Sequence, residues 1–236
     1  MTQEFRVVVD TDPGLNRKGN EDAAYAGSRV LVLADGMGGH TSGEVASALA
    51  VDALRELDKE PHEDLTGALA GAVAEAGRLL DEHAPAGAGT TVTAMLWNGP
   101  RFGLAHIGDS RGYLLRDSVL YQMTRDHTLV QTLVDEGRIT PEEAEVHPRR
   151  SMLVRALQSG STHEPDLSEH EAVRGDRFLL CSDGLTDVVS DEAIREVLDS
   201  VADPDAAVRR LIDLANAGGG PDNITCLLAD YLGESA

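Results

Sequence analysis

The sequence predicts an α+β fold: a four-layer α-β-β-α sandwich of two stacked antiparallel sheets, each covered by a helix pair. Three observations predict it. Four strand signals, at residues 90–97, 101–107, 112–116 and 119–122, follow one another with no helix between them, as in an antiparallel meander rather than a doubly wound parallel sheet. Helical periodicity precedes that meander, at 41–57 and 63–82, and returns after it, from about Ser190 and from Asp203-Pro204. Apolar runs of strand length meet glycine-rich or polar turns at four aspartates, Asp35, Asp109, Asp183 and Asp222, which could share one edge of such a sandwich.

A strand at 5–10 leads through a polar loop, 11–20, into a second extended segment. The continuous apolar run 30–34 reads as a strand buried on both faces. A helix starts at Thr41, where Thr41-Ser-Gly-Glu44 reads as a capping box, and Val45, Leu49, Ala53 and Leu57 form its inner stripe. The helix at 63–82 turns Leu65, Leu69, Val73, Ala76 and Leu80 inward and is broken by Gly87-Ala-Gly89. Asn98-Gly99 is a hairpin signal between the first two meander strands. Residues 125–160 are charged, carry Pro148 and Arg149-Arg150, and read as a small helical insertion beside the core. There Asp126 caps a short helix with Leu129, Val130, Leu133 and Val134 inward, stopped by Gly137. Thr140-Pro141-Glu-Glu143 then joins a capping box to a proline at the first helical position. Strands resume at 165–170 and 177–182. The last helix stops at 218–220, and 224–231 is the closing strand.

At 236 residues the chain suits one domain, and its 42% hydrophobic content suffices for a core. Aromatics are only 3%, so Val, Leu, Ile and Ala must build that core. The formal charge of −21 repels phosphate backbones and anionic headgroups, which argues against nucleic-acid and membrane binding. The first residues carry no secretory signal, and no apolar run approaches the length of a membrane span. Cys181 and Cys226 lack metal-ligand spacing and read as small buried hydrophobes in a reducing cytoplasm. The chain ends just past its last strand, so no tether or sensor domain is expected.

A carboxylate that closes a buried strand is costly unless something positive compensates it. Clustered carboxylates repel one another unless they share protons or hold cations. An all-oxygen set suits magnesium or manganese rather than zinc, so a hard-metal hydrolytic site is the first expectation. In Asp35-Gly-Met-Gly-Gly39-His40 the glycines let the backbone approach a ligand closely, although Asp-Gly is also an ordinary turn. Asp183-Gly184 could be turn or ligand, and Asp222-Asn223 a helix-stop loop. Asp109 could pair with Arg111 in a hairpin. Arg17 is a solvated loop residue or, beside a metal, a bidentate phosphate clamp. Glu21 and Asp22 are surface charges or groups that orient metal-bound water. His106 alternates with apolar residues and reads as a core histidine, while His40 and His127 stay open.

The segments Gly14-Leu-Asn-Arg17-Lys-Gly-Asn-Glu21-Asp22, Ala34-Asp35-Gly-Met-Gly-Gly39, Gly89-Thr-Thr91, Gly108-Asp-Ser-Arg111, Thr124-Arg-Asp-His127, Cys181-Ser-Asp-Gly184 and Gly220-Pro-Asp-Asn-Ile-Thr225 resemble, in order and spacing, the bacterial metal-dependent serine/threonine protein phosphatases of type 2C, the PPM family. The resemblance implies the same sandwich and a single catalytic domain over 1–236, with a mobile flap at about 125–160. It implies two Mn2+ or Mg2+ ions bridged by Asp35, with Asp183 and Asp222 on one and the Gly36 carbonyl on the other. Glu21 and Asp22 match positions that touch the metals directly or through water. Asp109, with Asp183, matches a third, weaker metal site. Arg17 matches the substrate-phosphate clamp.

The implied activity is hydrolysis of phosphoserine and phosphothreonine in proteins. A bridging cation pair lowers the pKa of water from about 15.7 toward about 7, and the resulting hydroxide attacks phosphorus in line. Arg17, Asp35 and Asp109 would be the catalytic residues. Eukaryotic members carry a histidine where this chain has Met37, which cannot protonate the leaving alkoxide. A water at the third metal held by Asp109 takes that role, with His40 as the alternative. The expected partners are phosphorylated proteins, serine/threonine kinases among them, met by a cytoplasmic monomer. The competing functions are a phosphoesterase for small-molecule phosphates and a catalytically silent binding module.

Overall fold

In the computed structural model of the chain, every residue except Met1, Gly39, His40, Thr162 and Ala236 is described, with no side-chain description for 2–4 and 234–235. Two antiparallel sheets stack face to face. The five-stranded sheet runs β1 (Thr2–Asp12), β12 (Ile224–Ser235), β11 (Arg177–Cys181), β7 (Arg111–Arg116) and β8 (Val119–Gln122). The seven-stranded sheet runs β10 (Asp166–Glu171), β6 (Arg101–Ile107), β5 (Val92–Asn98), β3 (Val30–Met37), β4 (Gly89–Thr90) and β9 (Leu157–Gln158), with β2 (Asp22–Ala26) also paired to β3. Helices α1 (Thr41–Leu54) and α2 (Leu65–His83) cover the larger sheet; α6 (Asp191–Ser200) and α7 (Pro204–Ala217) cover the smaller.

The layers follow from strand alternation. On β3, Val30, Val32 and Ala34 face α1 and α2, while Leu31 and Leu33 face the other sheet. On β12, Ile224, Cys226 and Leu228 face α7, while Leu227, Ala229 and Tyr231 face inward. Both strands are therefore apolar at successive positions, as a strand between two covered faces must be. The expectation of an aliphatic core needs correction for the inter-sheet layer, where Phe5, Trp97, Phe102, Phe178 and Tyr231 gather. Few aromatics do not mean dispersed ones. Cys181 and Cys226 face each other across β11 and β12, free and buried as expected.

The helix ends largely match their sequence signals. Asp64, Ser190 and Asp203 each accept an amide three residues on, and Thr140 and Glu143 form the reciprocal capping box. The inner stripe of α2 is buried as read. Four readings change. The buried residues of α1 are Gly43, Ala46, Ser47, Ala50, Val51, Ala53 and Leu54; of the four expected inward residues, Ala53 and Leu57 are buried and Val45 and Leu49 only half-buried. A Cβ on Gly43 would stand 2.8 Å from the Gly36 carbonyl carbon, so the first turn of α1 lies too close to β3 for any residue larger than glycine at that position. The position before Thr41, where a cap would sit, lies outside the described residues. In the insertion, α3 (Leu129–Asp135) is capped by Thr128 rather than Asp126, and Val130 alone of its four expected inward residues is fully buried. The β5–β6 hairpin forms, but Asn98 pairs with Arg101 and the turn is Gly99-Pro100. The 90–97 strand is interrupted at Thr91, which leaves β4 and β5 separate.

Candidate active site

The chain crosses from the five-stranded to the seven-stranded sheet between β1 and β2, and back again between β6 and β7. Both crossings lie at the same end of the sandwich. The first carries Arg17 and Glu21, and the second carries Asp109. Asp35 enters from β3, directly opposite Asp22 on β2. Asp183 opens the short helix α5 (Asp183–Thr186) just beyond β11, and Asp222 sits just before β12. A cleft of about 410 Å3 gathers Arg17, Glu21, Asp35, Gly36, Met37, Asp109, Asp183 and Asp222. A larger cavity, about 520 Å3, lies between α2 and residues 157–167 and contains none of the four aspartates. The single shared edge expected from the strand ends is present.

Neighbouring hydrogen bonds hold the Asp35 and Glu21 backbones and the Asp22 and Asp222 carboxylates in place. Thr91 brackets Asp35: the Asp35 amide donates to Thr91 Oγ1 at 3.0 Å, and the Thr91 amide donates to the Asp35 carbonyl at 2.8 Å. Asn223 fastens the Arg17 loop by accepting from the Glu21 amide at 2.8 Å and donating to the Pro13 and Gly19 carbonyls at 3.0 and 2.8 Å. Arg17 Nη2 donates to Asp222 Oδ2 at 2.5 Å. Asp22 lies behind the lining residues, where its Oδ2 accepts from Ser182 Oγ at 2.8 Å and Thr225 Oγ1 at 2.7 Å. Arg111 turns away from Asp109 and binds Asp126 with contacts of 2.7–3.0 Å, which removes the hairpin-pair alternative. His106 is buried between Thr93 and the Arg125 carbonyl, a core histidine as read. His40 lies outside the described residues.

The electrostatics show what the site lacks. Burial, followed by the charges of Asp22, Asp183, Asp109 and Asp222, pushes the Asp35 carboxyl well above the usual range. Burial, then Asp109, Asp187, Asp222 and Asp22, does the same to Asp183. Burial, with Asp126 and Asp187, raises Asp109 to about 7. Burial raises Asp22 to about 6 against the lowering pull of its Thr225 and Ser182 hydrogen bonds. Against burial, which lowers it, Asp222 and then Glu21 and Asp183 raise Arg17. Among the described lining residues Arg17 is the one cation.

Asp22 Oδ1 and Asp183 Oδ1 are buried without a hydrogen-bond partner. An orphaned carboxylate oxygen among repelling neighbours is what a hard divalent cation satisfies, and the donors are all oxygen. The residues present therefore fit such ions. Among the described residues no three acidic, histidine or cysteine side chains are closed into a ready-made cage. The carboxylates instead stand around the cleft.

Sequence reasoning gave no role to Thr91, Ser151, Leu153 or Asn223, all of which line the cleft. Thr91 and Asn223 lay within motifs that flank the aspartates. Nothing local marks Ser151 and Leu153, which arrive from the 125–160 insertion.

Comparison with known proteins agrees with this geometry. The profile of the protein phosphatase 2C family matches residues 15–224. The serine/threonine protein phosphatase PstP of Mycobacterium tuberculosis is 55% identical over 98% of this chain, which spans only 46% of that relative's length. The serine/threonine phosphatase stp of Listeria monocytogenes is 38% identical, over 98% of this chain and 96% of its own. The crystal structure of the M. tuberculosis enzyme superposes with a TM-score of 0.92 at 54% identity, covering 96% of this chain and 98% of that one. A structure of the PstP catalytic domain in complex with two manganese ions gives 0.90 at 52% identity, over 98% and 100%. With its profile, its relatives and its fold in agreement, the chain belongs to the protein phosphatase 2C family.

Proposed function

We propose that this chain is a metal-dependent protein phosphatase that hydrolyses phosphoserine and phosphothreonine in proteins. The observation that carries it is the partnerless buried Asp183 Oδ1 in a cleft where four aspartates from two sheets face Arg17. Asp35 and the Gly36 carbonyl, with Glu21 and Asp22 beside them, would hold one Mn2+ or Mg2+ ion. Asp35, Asp183 and Asp222 would hold its neighbour, and Asp109 with Asp183 a third. When bound, the ions polarise the phosphoryl oxygens and acidify water.

The protein supplies placement. Arg17 is 47% exposed at the cleft mouth and held there by Asp222, so its fork meets incoming phosphoryl oxygens before they reach the carboxylates. Thr91 and Asn223 fix the backbones of Asp35 and Glu21 and limit drift of the acids as charge develops. The leaving alkoxide takes its proton at the Asp109 corner of the cleft, because the Met37 side chain has none to give. The substrate surface includes Ser151 and Leu153, so the 125–160 insertion acts as a flap on one continuous catalytic domain. Phosphorylated proteins, including serine/threonine kinases, are the partners of a cytoplasmic monomer. Among the described residues no helix is long and apolar enough to cross a membrane.

The test compares turnover of phosphothreonine peptides with that of phosphorylated metabolites, in Mn2+, in Mg2+ and in chelator, with Asp183→Ala as control. Metal-dependent peptide turnover lost in the variant supports the proposal. Preference for metabolites would move the substrate class to small phosphoesters. Absence of metal-dependent turnover would leave a binding module.

A further inference from the structure

The link between β6 and β7, residues 108–110, and the start of β7 are tied at Gly108, Arg111 and Gly112 to the segment 123–127, which runs antiparallel to them. The Met123 amide donates to the Gly112 carbonyl at 2.8 Å, and the Gly112 amide donates to Thr124 Oγ1 at 3.1 Å. Arg111 is forked onto Asp126, and Ser110 Oγ meets Thr91 Oγ1 at 2.8 Å. The last tie is double. The His127 amide donates to the Gly108 carbonyl at 2.7 Å, and the Gly108 amide donates to His127 Nδ1 at 3.0 Å. Gly108 sits at φ +118°, where a Cβ would come 2.5 Å from Thr91, so the backbone immediately before Asp109 has little room to relax.

An amide can only donate, so Nδ1 of His127 carries no proton and the ring proton is on Nε2. Nε2 lies 2.9 Å from Asp166 Oδ2, the acceptor that proton needs; Arg155 Nη1 also stands 2.9 Å from Nε2, but it can only donate and cannot take that proton, and its Nη2 is held by Asp166 Oδ1 at 2.9 Å. A carboxylate on one ring nitrogen therefore sets the tautomer that the other nitrogen uses. The His106 ring covers one side at 4.9 Å between centroids, and burial lowers the His127 pKa, which keeps Nδ1 free to accept near neutral pH.

We propose that His127 is a positioning residue for the Asp109 corner: its ring clamps the Gly108 amide and so presents the Asp109 carboxylate to a cation. It touches neither substrate nor ion. This rests on the reading of Asp109 as a ligand of the third, weakest cation.

The test is a Mn2+ titration followed by electron paramagnetic resonance of the free ion, on whole protein shown to be folded by circular dichroism. Two variants of similar size separate the two ring nitrogens. His127→Asn places a carbonyl oxygen where Nδ1 was, whereas His127→Gln reaches toward Asp166 and leaves Gly108 unclamped. The weakest Mn2+ site should lose about tenfold or more in affinity in His127→Gln, as for other residues that orient a ligand, with the two tighter sites unchanged. His127→Asn should recover most of that loss. Equal Mn2+ binding by His127→Gln and wild type, with Asp109→Asn losing the weakest ion, overturns the positioning role. So does an equal loss in His127→Asn and His127→Gln, which would mark general disturbance of the core. Two ions in both wild type and Asp109→Asn would instead remove the third-cation reading, and the proposal with it.

Discussion

Two buried aspartates at opposite places in the sandwich differ in what surrounds them. Asp176, at the start of β11, is 2% exposed and fully answered: Arg116 donates to both oxygens at 2.7 and 2.6 Å, and the Val173 amide adds a third bond at 2.7 Å. Asp183, at the other end of that strand, has four aspartates raising its pKa and one oxygen without a partner. The first arrangement lowers the cost of burying a charge and serves the fold. The second leaves that cost standing, which a fold tolerates where a ligand offsets it. One strand thus carries a compensated carboxylate at one end and an uncompensated one at the other.

The largest effect that would break this contrast is on activity. Asp183→Ala should lower phosphopeptide turnover by more than about a hundredfold, since even residues that merely support a ligand cost up to about that much. Its melting temperature in chelator should hold or rise, because repulsion from Asp109, Asp187 and Asp222 is relieved. Retained activity together with a lowered melting temperature would make Asp183 a structural residue like Asp176. Next, Arg17→Ala should reduce kcat/KM by about a hundredfold through loss of the phosphate fork. Its stability should change by less than about 1 kcal/mol, since the Arg17–Asp222 pair is 47% and 29% exposed. Steady-state kinetics beside urea melts separate the two quantities.

Asp176→Ala should do the reverse. It leaves Arg116 unpaired and should cost roughly 2 kcal/mol, less than a wholly buried pair because Arg116 is 34% exposed. The activity of the folded fraction should stay at the wild-type level, and a parallel loss of turnover would erase the distinction. The smallest effect concerns pH. In chelator, Asp109 at about 7 and Asp22 at about 6 bind protons more readily folded than unfolded. Stability should therefore rise as pH falls through 7 toward 5, by a few degrees of melting temperature. His106, lowered to about 4 chiefly by burial, opposes this below about pH 6.5, because the unfolded chain takes up its proton first. Saturating Mn2+ should reverse the slope, since protons then compete with the cation. An identical slope with and without Mn2+ would detach these carboxylates from the metal.

What was legible in the sequence was whatever local physics controls. The five inward residues of α2 could be read because helical periodicity alone selects them. The capping box at Thr140 could be read because its partners lie within one turn. On α1 the later half of the stripe, Ala53 and Leu57, is buried as periodicity selects, but Val45 and Leu49 are only half-buried near the N-terminal end, where Gly43 approaches Gly36 on a different element. Asp126 and Thr128 are both cap-forming residue types, and Arg111, distant in sequence, claims Asp126 and leaves the cap to Thr128. Helix α5, four residues long, is too short to show a period.

The sequence by itself determined which carboxylates would need compensation, since an apolar strand that ends in an aspartate carries that problem wherever it folds. It also determined the sandwich, because uninterrupted strand signals between helix pairs leave few other ways to cover the apolar faces. Only the tertiary structure decided which acids share one cleft and which turn away to an arginine. Arg17, Glu21 and Asp109 lie on links that pass from one sheet to the other, while Asp35 and Asp183 come from different sheets. Their proximity exists only once the sheets are stacked, and stacking is set by the side chains that pack between them.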